Sequence, residues 1–398
     1  MIKYLLSTAC LTLVLFWPTQ AQEIASSIPI AAAVPERFTT LAEASYLNSL
    51  TRRGFRLETQ GFRIEALDGS AVFADYQSDV PFNPASVIKV ATTFAALAKF
   101  GPDHRFQTAF YTDGEIHKKT RVLKGNLILE AAGDPNLSSN DVTRLVREVV
   151  RAGIARVEGD LIVAGPFSFG SYYTAERALL RLGIVLRRIG IRVTGEKKLG
   201  GPFQGTLIAT HESATLRDIL LFQNAHSSNP IAERLGETLG GPRAVERFLV
   251  DDVGIPEPEV FVGRTSGLQH NRITPRGTVL LFRKLVHWLE AYDMHAEDIL
   301  PVAGVDPGTL QTRFKTIDFR GGIVAKTGTL PGTDGGVSTL AGILYTRDRG
   351  PLIFAIFNTK GSVVRYRQLQ DAFLKSFIQE SGGTGIPPVS VSSRRLSN

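Results

Sequence analysis

Three short strings in the chain hold residues that can carry out acyl transfer on a serine. In chain order they are Ser86-Val87-Ile88-Lys89, Ser227-Ser228-Asn229 and Lys326-Thr327-Gly328. A serine hydroxyl is a weak nucleophile at neutral pH and needs a base within hydrogen-bond reach. Residues i and i+3 of a helix share a face, so Lys89 is predicted to lie beside Ser86. Lysine is a base only when neutral, so this chemistry requires the pKa of Lys89 to fall far below about 10.4.

Two features predict that lower pKa, and the second string supplies further polar groups. A helix N-terminus disfavours a cation at Lys89, and Lys326 would repel it from across a cleft. Pro230 breaks a helix directly after the second string, which favours a turn that projects side chains. We expect Ser227 to relay a proton between Lys89 and a leaving amine. We expect Asn229 to hold a substrate amide and to bond Lys89.

The third string lies at the end of a strand-like run. The edge of such a strand can pair with an extended peptide. Lys326 and Thr327 offer a positive charge and a hydroxyl to a substrate carboxylate, and Gly328 leaves room for close approach. The backbone N–H groups of Ser86 and Thr329 are predicted to form an oxyanion hole, in which one donor is worth about 3 kcal/mol of barrier.

The elements that must position these strings predict an α/β (α+β) fold. Asn83 as N-cap and Pro84 at the first helical position predict a helix that carries Ser86 and runs to about Phe100. A hairpin turn at Asp68-Gly69 joins the first two predicted strands, which we expect to share one sheet with the last three. These predicted strands are 62–67, 71–76, 322–327, 338–345 and 352–358.

The length of the chain predicts two domains. A catalytic domain is expected over 22–115 and 206–380, and a closing helix over about 365–380. A smaller inserted α/β module is expected over 116–205, with strands at 123–131 and 157–164 and helices at 141–152 and 175–188. Residues 381–398 are rich in Gly, Ser and Pro and predict a disordered tail.

The N-terminus predicts an export signal over residues 1–21. Lys3 precedes an apolar run from Leu5 to Trp17, and Thr19-Gln20-Ala21 fits a cleavage site. The alternative is a buried N-terminal helix. The only cysteine, Cys10, lies in this segment, so the mature chain is predicted to lack disulfides and cysteine–metal sites. No other run approaches the roughly 20 apolar residues that a membrane span needs.

Charge and histidine patterns exclude several classes of function. The formal net charge is +7, which suits anionic partners such as wall polymers, nucleic acid or lipid headgroups. The basic residues are scattered and do not alternate with aromatic residues, so we predict a solvated surface and no nucleic-acid binding. The histidines form no H-E-x-x-H pattern, and the chemistry above requires neither a metal nor a cofactor.

The motifs resemble those of the D-alanyl-D-alanine carboxypeptidase/endopeptidase family, the class C low-molecular-mass penicillin-binding proteins of the penicillin-binding protein 4 type. The resemblance covers most of residues 40–380. Beyond S-x-x-K, S-x-N and K-T-G, it includes the stretches 125–129, Gly133-Asp134-Pro135, 228–233, 300–304, Gly308-Thr309-Leu310 and Thr329-Leu330.

This resemblance implies a penicillin-binding transpeptidase/β-lactamase-like fold, a periplasmic or extracytoplasmic location, and peptidoglycan stem peptides as substrate. Neutral Lys89 would take the proton of Ser86, which attacks the penultimate D-alanine. Ser227 would protonate the leaving D-alanine, and water would cleave the acyl-serine. A β-lactam would acylate Ser86 in the same way.

The chain departs from the family pattern at four places. The interval between the first two strings is shorter than usual. Ser228 stands where aspartate is common, and Arg264-Thr265-Ser266-Gly267-Leu268 replaces D-G-S-G-L. Residues 331–336 enlarge the loop after the third string. None of these changes removes a group that does covalent chemistry.

Three other functions stay open at this stage. A class A β-lactamase would share two strings, but the chain lacks the E-x-x-L-N string that such enzymes use for deacylation. The shortened interval motivates a non-catalytic wall-binding relative. The third alternative is a hydrolase of unrelated D-amino peptides.

Overall fold

The computed structural model describes residues 35–171, 174–201 and 203–387. The predicted export signal, Cys10 and the last part of the predicted tail, 388–398, lie outside the described residues. The predicted α/β class is confirmed, because helices and mixed sheets make up the described chain. No helix in these ranges has the length and apolar content that a membrane span requires.

The strands of the described ranges fall into four sheets. In chain order they are β1 Glu36–Arg37, β2 Gln60–Ala66, β3 Ala71–Tyr76, β4 Gln107–Thr112, β5 Glu115–His117, β6 Val122–Lys124, β7 Leu127–Ala131, β8 Arg156–Val157, β9 Leu161–Ala164, β10 Arg192–Val193, β11 Lys197–Gly200, β12 Thr206–Glu212, β13 Val260–Phe261, β14 Arg272–Ile273, β15 Ile323–Leu330, β16 Val337–Thr346 and β17 Gly350–Thr359.

The helices of the described residues are α1 Leu41–Arg52, α2 Lys89–Phe100, α3 Ser139–Arg151, α4 Ala175–Ile189, α5 Leu216–His226, α6 Asn229–Leu239, α7 Pro242–Asp251, α8 Pro275–Glu290 and α9 Val363–Glu380. Short 3-10 turns cover Leu57–Thr59, Ala85–Ile88, Glu257–Glu259 and Ala296–Asp298.

The largest sheet has the order β1-β3-β2-β17-β16-β15. The first hairpin and the last three strands therefore share one sheet, as their apolar runs predicted. One face packs on α1 and α9, where Tyr46 stacks on Phe373. The other face adjoins the helical core around α2 and α8, with Trp288 fully buried. The third string lies on β15, at the edge of this sheet.

Residues between β4 and β12 form two further sheets, β11-β9-β7-β4-β12 and β10-β8-β6-β5, packed with α3 and α4 around their own core. The single strands expected over 123–131 and 157–164 are each divided between these sheets. Gly125 has φ +152°, and a Cβ on Gly159 would lie 2.3 Å from the Gly125 carbonyl oxygen. The two segments of the chain that contain Gly125 and Gly159 thus pass close to each other at the points where both expected strands are interrupted. We propose that the inserted unit spans 107–212, which is wider than the module expected from the sequence.

The start of the predicted tail is hydrogen-bonded in the structure. The Gly385 N–H donates to the Tyr345 carbonyl at 2.8 Å, and the Gly383 carbonyl accepts from the Arg347 N–H at 3.0 Å. These bonds hold residues 383–385 beside the end of β16, because that strand continues past its pairing with β15.

Candidate active site

Ser86 lies in a 3-10 turn directly before α2, not inside a regular helix as predicted. Asn83 does not cap α2; its side chain accepts from the Ala85 N–H at 3.0 Å. Ala85 then takes a left-handed conformation with φ +48°, which is uncommon for a residue with a side chain. The 3-10 turn Ala85–Ile88 leads into α2, which begins at Lys89. The i, i+3 spacing still brings the Lys89 Nζ to 2.9 Å from the Ser86 Oγ.

Two further acceptors surround the Lys89 amine. Its Nζ donates to the Asn229 Oδ1 at 2.7 Å and to the Ser266 carbonyl oxygen at 2.5 Å. A neutral amine has two N–H bonds and one lone pair, and these two oxygens can only accept. The lone pair is then left for the Ser86 hydroxyl. This arrangement turns the lone pair of Lys89 toward the Ser86 Oγ, as the predicted roles of base and nucleophile require.

Burial favours the neutral form of Lys89. The side chain is fully buried, and desolvation lowers the pKa of Lys89 to about 7, against a weaker opposing effect of Glu233. The helix N-terminus and Lys326 were the expected causes, but desolvation dominates. The free energy that an ammonium loses on leaving water is larger than the attraction it gains from the Glu233 carboxylate.

The second amine contacts the second serine. The Lys326 Nζ donates to the Ser227 Oγ at 2.9 Å and to the Thr327 carbonyl at 2.7 Å. Lys326 is fully buried, and burial and then repulsion from Lys89 lower the pKa of Lys326 well below its ordinary value. Ser86, Ser227 and Asn229 are only half-buried. The hydroxyls and the amide therefore face the solvent side while both amines lie beneath them.

The break between α5 and α6 explains how the second string projects its side chains. Ser227 ends α5 in a left-handed conformation, φ +54°. Ser228 caps α6, its hydroxyl accepting from the Ile231 N–H at 3.5 Å, and Pro230 occupies the first turn. Serine and aspartate are both favoured N-caps, so Ser228 can cap this helix as the aspartate common in the family would. Asn229 is then aimed at Lys89.

Residues 83–88 form the turn that carries Ser86, the predicted nucleophile, and are called the nucleophile turn. Close backbone contacts join this turn to two other segments. A Cβ on Gly328 would lie 2.0 Å from the Thr339 Oγ1 and 2.5 Å from the Pro84 carbonyl oxygen. A Cβ on Gly267 would lie 2.0 Å from the Ala85 carbonyl oxygen. Only glycine allows β15 and the 264–268 loop to approach this closely.

The outer edge of β15 is covered along its first half only. The Ala303 N–H donates to the Ile323 carbonyl at 2.9 Å, and the Ala325 N–H donates to the Pro301 carbonyl at 3.2 Å. Backbone N–H groups two residues apart point to the same edge of a strand. The N–H groups of Thr327 and Thr329 therefore face the edge that continues beyond Pro301, where an extended peptide can pair.

The hydroxyls of Thr327, in the third string, and of Thr329, directly after it, have partners in the protein. The Thr327 Oγ1 donates to the Thr309 Oγ1 at 2.9 Å. The Arg367 guanidinium, from α9, donates to the Thr329 Oγ1 at 2.7 Å. The G-T-L string that carries Thr309 is placed by its backbone, since the Thr309 N–H donates to the Ala225 carbonyl at 2.9 Å.

The 264–268 loop departs from the family pattern, and its sequence predicted no role for it. The Ser266 carbonyl is nevertheless a partner of Lys89, and the Ser266 hydroxyl donates to the Glu233 Oε1 at 2.5 Å. Glu233 belongs to the stretch 228–233, one of those that resemble the family. Only their positions in stretches that resemble the family could have pointed to Ser266 and Glu233, because no local periodicity links either residue to Lys89.

The enlarged loop after β15 contacts the nucleophile turn. Asp334, at φ +49°, accepts from the Asn83 Nδ2 at 3.0 Å and pairs with Arg272 at 3.1 Å.

Within the described residues, His, Cys, Asp and Glu form no group of three that could hold a metal ion. The absence of a metal and of a cofactor stays a prediction.

Comparison with known proteins decides the family. The sequence profile of the D-Ala-D-Ala carboxypeptidase 3 (S13) family matches residues 47–168 and 165–375. The chain belongs to this family. It is accordingly a serine-type D-Ala-D-Ala carboxypeptidase, and the family, the enzyme class and the penicillin-binding protein 4-like resemblance predicted from the motifs are confirmed.

Relatives in sequence and in structure agree with this assignment. The D-alanyl-D-alanine carboxypeptidase DacB of Haemophilus influenzae is 25% identical over 407 residues, covering 73% of this chain and 83% of that protein. The structure of penicillin-binding protein 4 from the same organism superposes with a TM-score of 0.68 at 21% identity, covering 81% of this chain and 96% of that one.

A predatory endopeptidase of Bdellovibrio bacteriovorus also has this fold. Its structure, acylated by penicillin G and in complex with an immunity protein, gives a TM-score of 0.65 at 20% identity, covering 83% of this chain and 94% of that one. At these identities the two structural likenesses show the fold.

Proposed function

We propose that this S13 family member removes the terminal D-alanine from peptidoglycan stem peptides through an acyl intermediate on Ser86. The observation that carries the proposal is the 2.9 Å contact between the Lys89 Nζ and the Ser86 Oγ, with the two obligate acceptors on the same amine. The edge of β15 is open beyond Ala325, where an extended stem peptide, the substrate typical of the family, can pair by backbone hydrogen bonds.

The first half of the reaction is acylation. Lys89 takes the proton of Ser86 as the Oγ attacks the carbonyl carbon of the penultimate D-alanine. The N–H groups of Ser86 and Thr329 hold the oxyanion. The C–N bond then breaks, and Ser227 gives its proton to the leaving amine and receives in turn the proton that Lys89 took from Ser86. Lys326, which contacts the Ser227 hydroxyl, supports that transfer.

The second half is hydrolysis of the ester. Lys89 takes a proton from a water molecule as that water attacks the acyl carbon, and returns the proton to Ser86 as the peptide acid leaves. The half-buried position of Ser86 gives water access. Asn229 bonds Lys89 in both halves and orients a substrate amide. Thr327 provides a hydroxyl to a substrate carboxylate, and the negative charge of that carboxylate would raise the pKa of Lys326 and favour its charged form.

The partners and location follow from this chemistry. A β-lactam presents a carboxylate and a strained amide, so it would acylate Ser86 as the peptide does. Peptidoglycan lies outside the cytoplasm, which fits the predicted export signal over residues 1–21. We propose a periplasmic or other extracytoplasmic site of action, with wall peptides as the partners.

Mass spectrometry after treatment with benzylpenicillin tests the assignment of the nucleophile and base. We expect one covalent adduct on the native chain and none on Ser86→Ala or Lys89→Ala. Lys326→Ala should be acylated slowly, because its partner Ser227 loses a donor. Lys124→Ala, an exposed lysine outside the site, is the control and should be labelled like the native chain. An adduct on Ser86→Ala would refute the proposed nucleophile.

Product analysis separates the possible substrates. We expect D-alanine to be released from a pentapeptide, and a cross-linked dimer tests whether endopeptidase activity accompanies this. Slow, stoichiometric reaction with nitrocefin is expected. Rapid nitrocefin turnover would instead favour a β-lactamase-like hydrolase.

A further inference from the structure

Helix α4 of the inserted unit exposes an apolar pair to solvent. Leu180 is 62% exposed and Ile184 is 44% exposed, and residues at i and i+4 lie next to each other on a helix. The opposite side of α4 buries Leu179, Leu182 and Leu186 in the core of the unit. The helix is therefore apolar on two sides, and one of them has no covering element among the described residues.

Cations border this apolar pair on both sides. One groove beside α4, about 530 Å³ in volume, is lined by Arg187, Arg192 and Lys197. The groove on the other side, about 520 Å³, is lined by Arg147, Arg181 and Arg188. Among the residues that the structure describes, no acidic one lines either groove. We call Leu180, Ile184, Arg187, Arg188, Arg192 and Lys197 the α4 surface.

Packing holds one of these cations over the helix. A Cβ on Gly183 would lie 2.6 Å from the Lys197 Cε, so the stem of Lys197 crosses α4 at a residue without a side chain. Lys197 begins β11, an edge strand that is exposed along its length. Long basic side chains commonly lay their stems on apolar surface and keep the charge in water.

The charges of the α4 surface are not neutralised by acids within the described residues. Elsewhere in the unit Lys198 pairs with Asp160 and Arg151 with Glu148. Within the described residues, no ion pair is formed by the four cations of the α4 surface, which are Arg187, Arg188, Arg192 and Lys197. Residues 107–212 contain 15 Lys and Arg against 11 Asp and Glu, a net +4 of the +7 of the chain. The sequence predicted scattered basic residues, but the fold gathers six of them around one helix.

We propose that the α4 surface docks the protein on a membrane that contains anionic phospholipids. Exposed apolar side chains flanked by Lys and Arg are the pattern of a helix that lies at a lipid interface. The cations would contact phosphate headgroups while Leu180 and Ile184 enter the boundary of the acyl chains. An anionic wall polymer would satisfy the charges but leaves the apolar pair in water, so the lipid surface fits both observations.

Sedimentation with vesicles tests this proposal, using the chain from Gln22 onward so that the predicted signal contributes nothing. We expect binding to vesicles of phosphatidylglycerol and phosphatidylcholine, at least tenfold weaker binding to phosphatidylcholine alone, and loss of binding in 0.5 M salt. The double variant Arg187→Glu/Arg188→Glu should bind at least tenfold more weakly. Leu180→Ser/Ile184→Ser should also weaken binding at low salt.

The double variant Lys118→Glu/Lys119→Glu is the matched control. It makes the same charge change on the same unit, beside β5, which lies at the opposite edge of its sheet from β10. Equal loss of binding in this control would overturn the proposal, since only net charge would then matter. Binding to purified peptidoglycan but not to vesicles would overturn it in favour of a wall polymer. Penicillin labelling of every variant reports folding separately.

Discussion

At Lys89, burial and hydrogen bonding act on one amine and favour one protonation state. Burial removes the water that would stabilise an ammonium. The Asn229 and Ser266 oxygens take the two N–H bonds that a neutral amine has. Glu233 opposes this effect, because its negative charge raises the pKa of Lys89. The base strength of Lys89 is thus a balance between desolvation and one carboxylate that also holds Ser266.

The rate of acylation should follow the ionisation of Lys89. We propose neutral Lys89 as the base, and its pKa is lowered to about 7, so acylation by benzylpenicillin should rise roughly tenfold per pH unit below 7 and level off above it. Quenched labelling between pH 5 and 9 measures this. A rate that is independent of pH across this range would rule out Lys89 as the titrating base.

Glu233→Gln should shift that profile to lower pH. The variant removes the charge that raises the pKa of Lys89 but keeps an oxygen that accepts from the Ser266 hydroxyl. More Lys89 is then neutral at acidic pH. Glu237→Gln, one helical turn further along α6, serves as the control and should leave the profile in place. A shift to higher pH in Glu233→Gln would contradict the role given to its charge.

At the scale of elements, the site depends on how closely β15 approaches the nucleophile turn. Gly328 on β15 and Gly267 in the 264–268 loop both touch the backbone of Pro84 or Ala85. The segment 301–303 covers the edge of β15 and ends where the third string begins. One strand thus has a closed half that fixes it in the protein and an open half that can receive a peptide.

Gly328→Ala should impair acylation more than it impairs folding. The added methyl would meet the Thr339 Oγ1 and the Pro84 carbonyl, so β15 must move away from Ser86. A displacement of about 1 Å in an active site can cost about 100-fold in rate. Gly332→Ala, in the loop after the strand, meets nothing within 4 Å and is the control. The second-order rate of penicillin labelling is the measurement, and an unchanged rate in Gly328→Ala would contradict the close contact.

At the scale of the whole molecule, the inserted unit is tied to the helix that carries Asn229. Arg234 of α6 is buried and donates to the Pro135 carbonyl at 3.2 Å and to the Gly170 carbonyl at 2.6 Å. Gly133 lies against Thr238 of the same helix. The family-like Gly133-Asp134-Pro135 string therefore belongs to the contact between the two units.

Arg234→Met should destabilise the protein by about 2 kcal/mol, because it leaves buried carbonyl oxygens without a charged donor. Arg243→Met is the matched control: Arg243 is exposed and pairs with Glu246 one turn away, so the expected loss is under about 0.5 kcal/mol. Urea unfolding measures both changes. Equal stability of the two variants would mean that Arg234 does not hold the units together.

Local sequence patterns were sufficient to predict the reactive residue types, their order and most of the elements that carry them. Ser86 and Lys89 were predictable as neighbours because a helical spacing of three is a local property of the chain. The hairpin at Asp68-Gly69 and the strand that carries Lys326 were predictable for the same reason, since turn residues and apolar runs act over a few positions.

The contacts between groups that are distant in the chain became known from the folded structure alone. It paired Lys326 with Ser227, brought the Ser266 carbonyl to Lys89, and divided two expected strands between sheets at Gly125 and Gly159. Such contacts join segments that are far apart in sequence, so no local pattern encodes them. Desolvation of Lys89 is of the same kind, because burial is a property of the packed molecule and not of the residue.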